Sequence, residues 1–295
     1  MTHGAVADPE VGAFGSVQRR SCAPSPLPAV SRCLAFAIAP DRSGSQSVPP
    51  SITDVELVAR GVRGAIMRHA EDARAPELSG HDASGAPLDG SHLGVCPIPA
   101  QVGSASAATI GAVVVRVSGR AQVVLGGLAR WQRAGMRLVL GRLGAWRLVW
   151  LDEASAGWRA MAAAIVGPSQ RWVTLTPVAL DRNPGNLFAS DGEKRRAAWA
   201  HAEATIGEAC VRAGLPRPVR VRASSEAWSA GVPRAGRFMP YPRDGRKAGR
   251  VCVHAAIEFA EAVAGPVVVG AGRYFGMGTL VGAIDAERIG GVQWP

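Results

Sequence analysis

Gly265-Pro-Val-Val-Val-Gly-Ala-Gly-Arg-Tyr-Phe-Gly-Met-Gly-Thr-Leu280 joins an apolar run to a loop containing Gly270, Gly272, Gly276 and Gly278. Glycines in such a pattern let the backbone enter φ > 0 and come close to a ligand. Successive main-chain amides then line a concave anion site. Arg273 adds a charge, while Tyr274 and Phe275 offer stacking faces. The segment after the loop excludes two nucleotide sites. A dinucleotide site needs a helix directly after the glycines, and a P-loop needs a terminal Lys-Ser/Thr. Here Thr279-Leu-Val-Gly-Ala283 reads as a strand and no lysine follows. For the glycines alone, a purely structural loop is the competing reading.

Outward from the loop, Arg250-Val-Cys-Val-His-Ala-Ala-Ile-Glu-Phe259 reads as a strand, with a short helix over Phe259 to Val263. Val219-Arg-Val-Arg222 alternates as a half-buried strand does. Asp191 to Ala213 is a helix, capped by Asp191 and closed by Gly214. Trp172-Val-Thr-Leu-Thr-Pro-Val178 is a further strand. The order strand, helix, strand, strand, short helix, strand predicts an α+β ferredoxin-like (RRM-like) βαββαβ unit over residues 169–295.

A less regular unit precedes it, over residues 51–168. Ser51 or Thr53 caps a helix that ends near His69. Strands follow at Leu93 to Ile98 and Ile110 to Val117, then a helix at 121–134 and a hairpin at 137–151 turning at Leu143-Gly-Ala145. Residues 1–50, rich in Pro, Ser, Gly and Ala, read as a poorly ordered arm or linker. Leu34 to Ala39 is too short for an ordinary signal-peptide core, and no apolar run reaches the length of a membrane span.

The chain has 295 residues and a net charge of +10, which favours a polyanionic partner. Nearly all of the positive charge is arginine; the only lysines are Lys194 and Lys247. Arginine forks onto phosphates and stacks on bases, which suits RNA. Between Arg212 and Arg250, nine Arg and one Lys face only Glu226 and Asp244, leaving +8 in one stretch. That is the footprint of a phosphate-binding face, with a solvated loop as the plainer alternative. Arg220, Arg222 and Arg250 are its candidate RNA contacts, alongside Gly270, Gly272, Arg273, Tyr274, Gly276 and Gly278 of the loop. Trp172, Trp199 and Trp228 are candidate base-stacking residues, with Trp199 better suited to a core. The five cysteines form no CxxC pair and no zinc spacing, which points to reduced thiols in a cytoplasmic protein.

The glycine loop resembles the C-terminal loop of the RAMP superfamily of CRISPR-associated proteins. Further segments resemble the fused backbone and repeat-processing protein of type I-G (I-U) CRISPR systems. They are Leu78-Ser-Gly-His-Asp82, His92-Leu-Gly-Val-Cys-Pro-Ile-Pro99, Trp172-Val-Thr-Leu-Thr-Pro-Val-Ala-Leu-Asp-Arg182 and Ala213-Gly-Leu-Pro216. Each is weakly specific; the set in order is much stronger. The resemblance implies tandem ferredoxin-like domains that bind CRISPR repeat RNA and cut it into guide RNA. It also implies partnership with other subunits of an effector complex. No cofactor, metal or membrane is called for.

Metal-independent RNA cleavage takes a base at the 2′-hydroxyl, an acid at the leaving 5′-oxygen and cations around the phosphorane, and it leaves a 2′,3′-cyclic phosphate. Histidine suits the first two tasks and arginine the third. His81 and His92 flank a turn-rich segment, fit the family pattern and are the catalytic candidates. His69 fits the C-terminal end of a helix dipole, and His201 an exposed helix position. His254 alternates within a strand, where a satisfied core residue, an RNA-facing residue and a catalyst are all open readings. A metal site from Asp54, His69, Asp72 and His81 has no ligand spacing behind it. Two alternatives stand beside the ribonuclease: a non-catalytic RNA-holding subunit, and a small-molecule enzyme that holds a phosphorylated ligand.

Overall fold

Cys33-Leu-Ala-Phe-Ala-Ile-Ala39 carries no charge, as befits a strand covered on both faces. In a computed structural model, which describes residues 32–41, 47–86, 88, 92–100, 108–117, 122–151, 156–238 and 249–283, this run forms β1 (Arg32–Pro40). It lies at the centre of a five-stranded sheet, so residues 32–40 are not the arm expected from the composition of the first fifty. Overall polarity concealed a short apolar strand.

Ser51 opens the next element through a capping box with Asp54, leading into α1 (Val55–His69). The one-turn helix α2 (Pro76–Ser79) ends on Gly80 at φ 73°. Then come β2 (Gly94–Pro99), β3 (Ile110–Val117), α3 (Gln122–Arg133), β4 (Arg137–Val139) and β5 (Ala145–Trp150). The sheet order is β2-β3-β1-β5-β4, with every pairing antiparallel. With β5 counted as the fourth strand and β4 as its hairpin partner, this is the ferredoxin-like order. The first unit looked irregular in sequence because its first strand was hidden in the supposed arm.

The helix α4 (Ala156–Ile165) leads to the second sheet. Its elements are β6 (Pro168–Thr174), β7 (Val178–Ala179), α5 (Gly192–Arg212), β8 (Arg220–Ser224), β9 (Cys252–Ala264) and β10 (Leu280–Gly282). Asp191 caps α5 by accepting from the amides of Glu193 and Lys194, and Gly214 follows it at φ 80°. The strand order β10-β6-β9, with β8 on the other side of β9, repeats the ferredoxin-like pattern. One element differs from expectation. Phe259 to Val263 is strand, not helix, because β9 runs on to Ala264 and pairs with β6 as far as Pro168. β9 and β10 are therefore joined by the glycine-rich loop rather than a second helix.

Alternate residues of each strand serve different layers. Val113 and Val115 pack with α1 and α3, whereas Val114 belongs to the cluster between the sheets. Trp172 faces α5, and its neighbour Val173 faces the other sheet. The uninterrupted Val113-Val-Val115 run is thus the mark of a strand buried on both sides. Small side chains, among them Ala35, Cys96, Val114, Ala256 and Ala283, fill the space between the sheets.

Candidate functional site

The loop glycines approach their own chain. Gly270, Gly276 and Gly278 have φ of 90°, 80° and 68°, so the positive-φ expectation holds at these three. A Cβ on Gly278 would lie 1.9 Å from the Val269 carbonyl oxygen, and one on Gly276 would lie 2.6 Å from Pro97 Cδ of β2. Several loop amides are already committed. Ala271 donates to the Ala179 carbonyl, Phe275 to that of Gly272, and Gly278 to that of Pro177. Thr176 Oγ1 donates to the Gly276 carbonyl at 2.7 Å. Gly270, Gly272, Gly276 and Gly278 are all buried, so the bend is a tightly held structural feature. The structural reading of the glycines, which competed with the phosphate reading, describes their immediate surroundings.

The bend carries its side chains into the first unit. Met277 is 2% exposed inside the core under α1, and Phe275 packs against that core. Tyr274 stacks on His92 with ring centroids 3.5 Å apart. The Arg273 guanidinium lies 4.4 Å from the Tyr274 ring centroid and donates to the Gly270 carbonyl at 3.3 Å. From α1, Arg60 and Arg63 lie 4.5 and 5.1 Å from the Phe275 ring centroid. The two units therefore meet at a seam holding three guanidinium groups, two aromatic rings and an imidazole. Arg60 and Arg63 were missed in sequence. Their signal was Arg63 on the otherwise apolar face of α1, where it is 6% exposed.

The two candidate catalytic histidines differ in exposure. His92 is 7% exposed, enclosed by Tyr274 and by Gly80, where an added Cβ would fall 2.6 Å from its Nε2. His81 is exposed in the turn that follows Gly80. Its Nδ1 is 3.0 Å from the Ser79 carbonyl oxygen and must carry the proton to donate there, which leaves Nε2 as the basic nitrogen. Asp82 accepts from the Ser84 hydroxyl and the Ser84 and Ala86 amides, and these bonds hold its carboxyl below the usual range. It serves turn geometry, as the Gly-His-Asp sequence allowed.

The remaining histidines have structural surroundings. His254 is fully buried between Thr174 Oγ1 at 2.9 Å and the Pro233 carbonyl at 3.0 Å. Only the tautomer protonated on Nε2 satisfies both, and burial pushes its pKa down to about 4. Of the readings open for His254, its surroundings are those of a satisfied core residue. His69 Nδ1 lies 2.8 Å from the Ala65 carbonyl at the end of α1, and His201 is exposed on α5. No group of three His, Cys, Asp or Glu able to hold a metal occurs among the described residues.

The other candidate RNA contacts are dispersed. Arg220 and Arg222 lie on the edge strand β8, which pairs with β9. Both are exposed. Arg250 is half-buried, and it donates to the carbonyls of Leu180 and Asp181. This ties β9 to the segment after β7. Residues 239–248 of the basic stretch lie outside the described residues. Trp172 is a core residue, fully buried with Nε1 donating to the Ser169 carbonyl. Trp199 packs on the α5 core, as its helix position suggested, and Trp228 sits half-buried beside the inter-sheet cluster.

The fold and the seam define a class: an α+β protein of two ferredoxin-like sheets packed face to face, with a C-terminal glycine-rich loop bracing one against the other. The chain belongs to the family described as CRISPR-associated protein, GSU0054 family, whose model matches residues 50–281. Among solved structures, it is similar to one titled as the crystal structure of Cas6b, at 10% identity and a TM-score of 0.44, over 85% of this chain and 99% of that one. It is also similar to the product of a Cas6-related gene from Pyrococcus furiosus, at 11% identity and a TM-score of 0.41, over 85% and 98%. A third, titled CRISPR associated protein Cas6, has 9% identity and a TM-score of 0.41 over 86% and 99%. No curated protein sequence matches the chain. No described helix is long and apolar enough to cross a membrane.

Proposed function

We propose that this CRISPR-associated chain binds CRISPR repeat RNA and cuts it, without a metal, into guide RNA that ends in a 2′,3′-cyclic phosphate. In this reading it works within a type I-G effector complex in the cytoplasm. The observation that carries the proposal is the seam: His92 stacked on Tyr274 under Arg273, with exposed His81 one residue beyond the Gly80 that covers His92. His81 Nε2 takes the proton from the 2′-hydroxyl. His92, held by its ring stack, orients the site and is the candidate acid. Arg273, with Arg60 and Arg63 beyond Phe275, supplies positive charge for the phosphorane. Arg220 and Arg222 hold flanking nucleotides, and Arg250 keeps β9 in place beneath them. Gly270, Gly272, Gly276 and Gly278 contribute by fixing the bend that presents Arg273 and Tyr274.

The test is cleavage of repeat RNA in EDTA. Wild type cuts; His81→Ala slows cutting by about 10²–10⁴-fold with RNA affinity retained, as loss of a general base does. His92→Ala slows it comparably. Cutting that survives both substitutions rejects these residues as catalysts. A wild type that binds the repeat tightly and never cuts it supports the RNA-holding subunit instead.

A further inference from the structure

The first unit has a second basic feature, which shares Arg60 with the seam. A cleft of about 390 Å³ opens between α1, the end of α3 and β4. Arg60, Arg68 and Arg137 line it with His69 and Trp131, and no carboxylate is among its lining residues. Glu56 pairs with Arg60 at 2.7 Å and Asp41 with Arg137 at 2.8 Å, so those two charges are partly matched from outside. Arg68 makes no ion pair among the described residues. His69 is held by the Ala65 carbonyl through Nδ1 and stacks on Trp131, with ring centroids 6.3 Å apart.

Two glycines of α1, Gly61 and Gly64, form part of the lining. Glycine inside a helix is destabilising relative to alanine, so each calls for a reason. Gly61 has one, since a Cβ there would meet Leu140 Cδ2 at 2.7 Å. Gly64 has none among the described residues: its Cβ would meet nothing within 4 Å. The missing side chain keeps the cleft open and leaves the helix backbone approachable from outside. Arg60 connects this space to the seam, because its guanidinium also lies over Phe275 of the glycine-rich loop. Arg60 thus borders both the cleft that Arg68 lines and the glycine-rich loop.

We propose that the cleft binds the phosphodiester backbone of nucleotides adjoining those held at the seam, with Gly64 as the point of closest approach and Arg68 as the principal phosphate contact. The proposal rests on the RNA-binding reading above. The ligand is a polyanion because the lining is cationic and lacks carboxylates. It is a nucleic-acid strand because Arg60, which lines the cleft, also lies over Phe275 of the seam.

The experiment measures repeat-RNA affinity of the full chain against salt concentration for wild type, Gly64→Leu, Arg68→Ala and Arg68→Glu. Circular dichroism and Tm report on folding. Gly64→Leu fills the cleft without displacing protein atoms near Cβ, and it should weaken binding about tenfold or more. Arg68→Ala should lower the slope of log affinity against log salt by about one, the signature of a lost phosphate contact. Arg68→Glu should weaken binding further. Should Gly64→Leu misfold, the Arg68 variants still decide the matter. Wild-type binding that neither Arg68 substitution alters would overturn the role of the cleft and leave the proposed function standing. A wild type with no salt-dependent binding to the repeat would overturn both.

Discussion

At the scale of single residues, surroundings divide groups of the same chemical type. His254 and His81 are the same side chain, yet one is sealed between Thr174 and Pro233 while the other stands in an exposed turn. The sealed ring has consequences for stability. Its folded pKa lies near 4, below the ordinary 6.5, so between these values the unfolded chain takes up a proton that the folded chain refuses. Stability from this group is present above pH 6.5 and is lost as pH falls toward 4, by about 3 kcal/mol in all. Urea titrations across that range should show the loss, and His254→Gln should flatten it. Glycines divide in the same way. Gly278→Ala sets a methyl against the Val269 carbonyl at positive φ and should cost more than about 2 kcal/mol. Gly64→Ala meets open space and should stabilise the protein by about 0.5–1 kcal/mol. Thermal melts of the two variants should move in opposite directions.

At the scale of elements, local signals were strong wherever capping chemistry was present. Ser51, and Asp191 with Gly214, marked helix ends that the fold reproduces, because caps satisfy amides within a few residues. β1 had no such punctuation. Only its apolar run marked it, inside a stretch whose Pro and Ser content argued for disorder. Its central place shows its weight: Phe36 pairs with Val113 on one side and Trp150 on the other, and it is 2% exposed. Phe36→Ala should cost about 3–5 kcal/mol by equilibrium unfolding. The short helix expected near Phe259 was lost to tertiary context. Pairing between β6 and β9 extends the strand through residues whose own propensity does not decide the matter.

At the scale of the whole molecule, two similar sheets share an interior that belongs to neither alone. Cys96 and Val114 are register partners on the inner face of the first sheet, packed near Val173 and Ala256 of the second. Burial raises the Cys96 thiol to about 11 and that of Cys210 to about 12, so both should resist thiol reagents at pH 8 in the native protein. Val114→Asp puts a charge between the sheets, and Cys96 should then react while Cys210, on the core-facing side of α5, stays protected. Mass spectrometry of labelled peptides reads this directly. Sequence by itself determined the α+β class, the placing of most helices and strands and the conformational need for glycine at the bend. Those features arise from periodicity, caps and φ preferences acting over a few residues. Only the tertiary structure decided that the bend is braced by its own chain, that Arg60 and Arg63 of α1 meet it, and that His254 is sealed while His81 is open. These depend on which faces of two distant segments come together, and no local pattern encodes that contact.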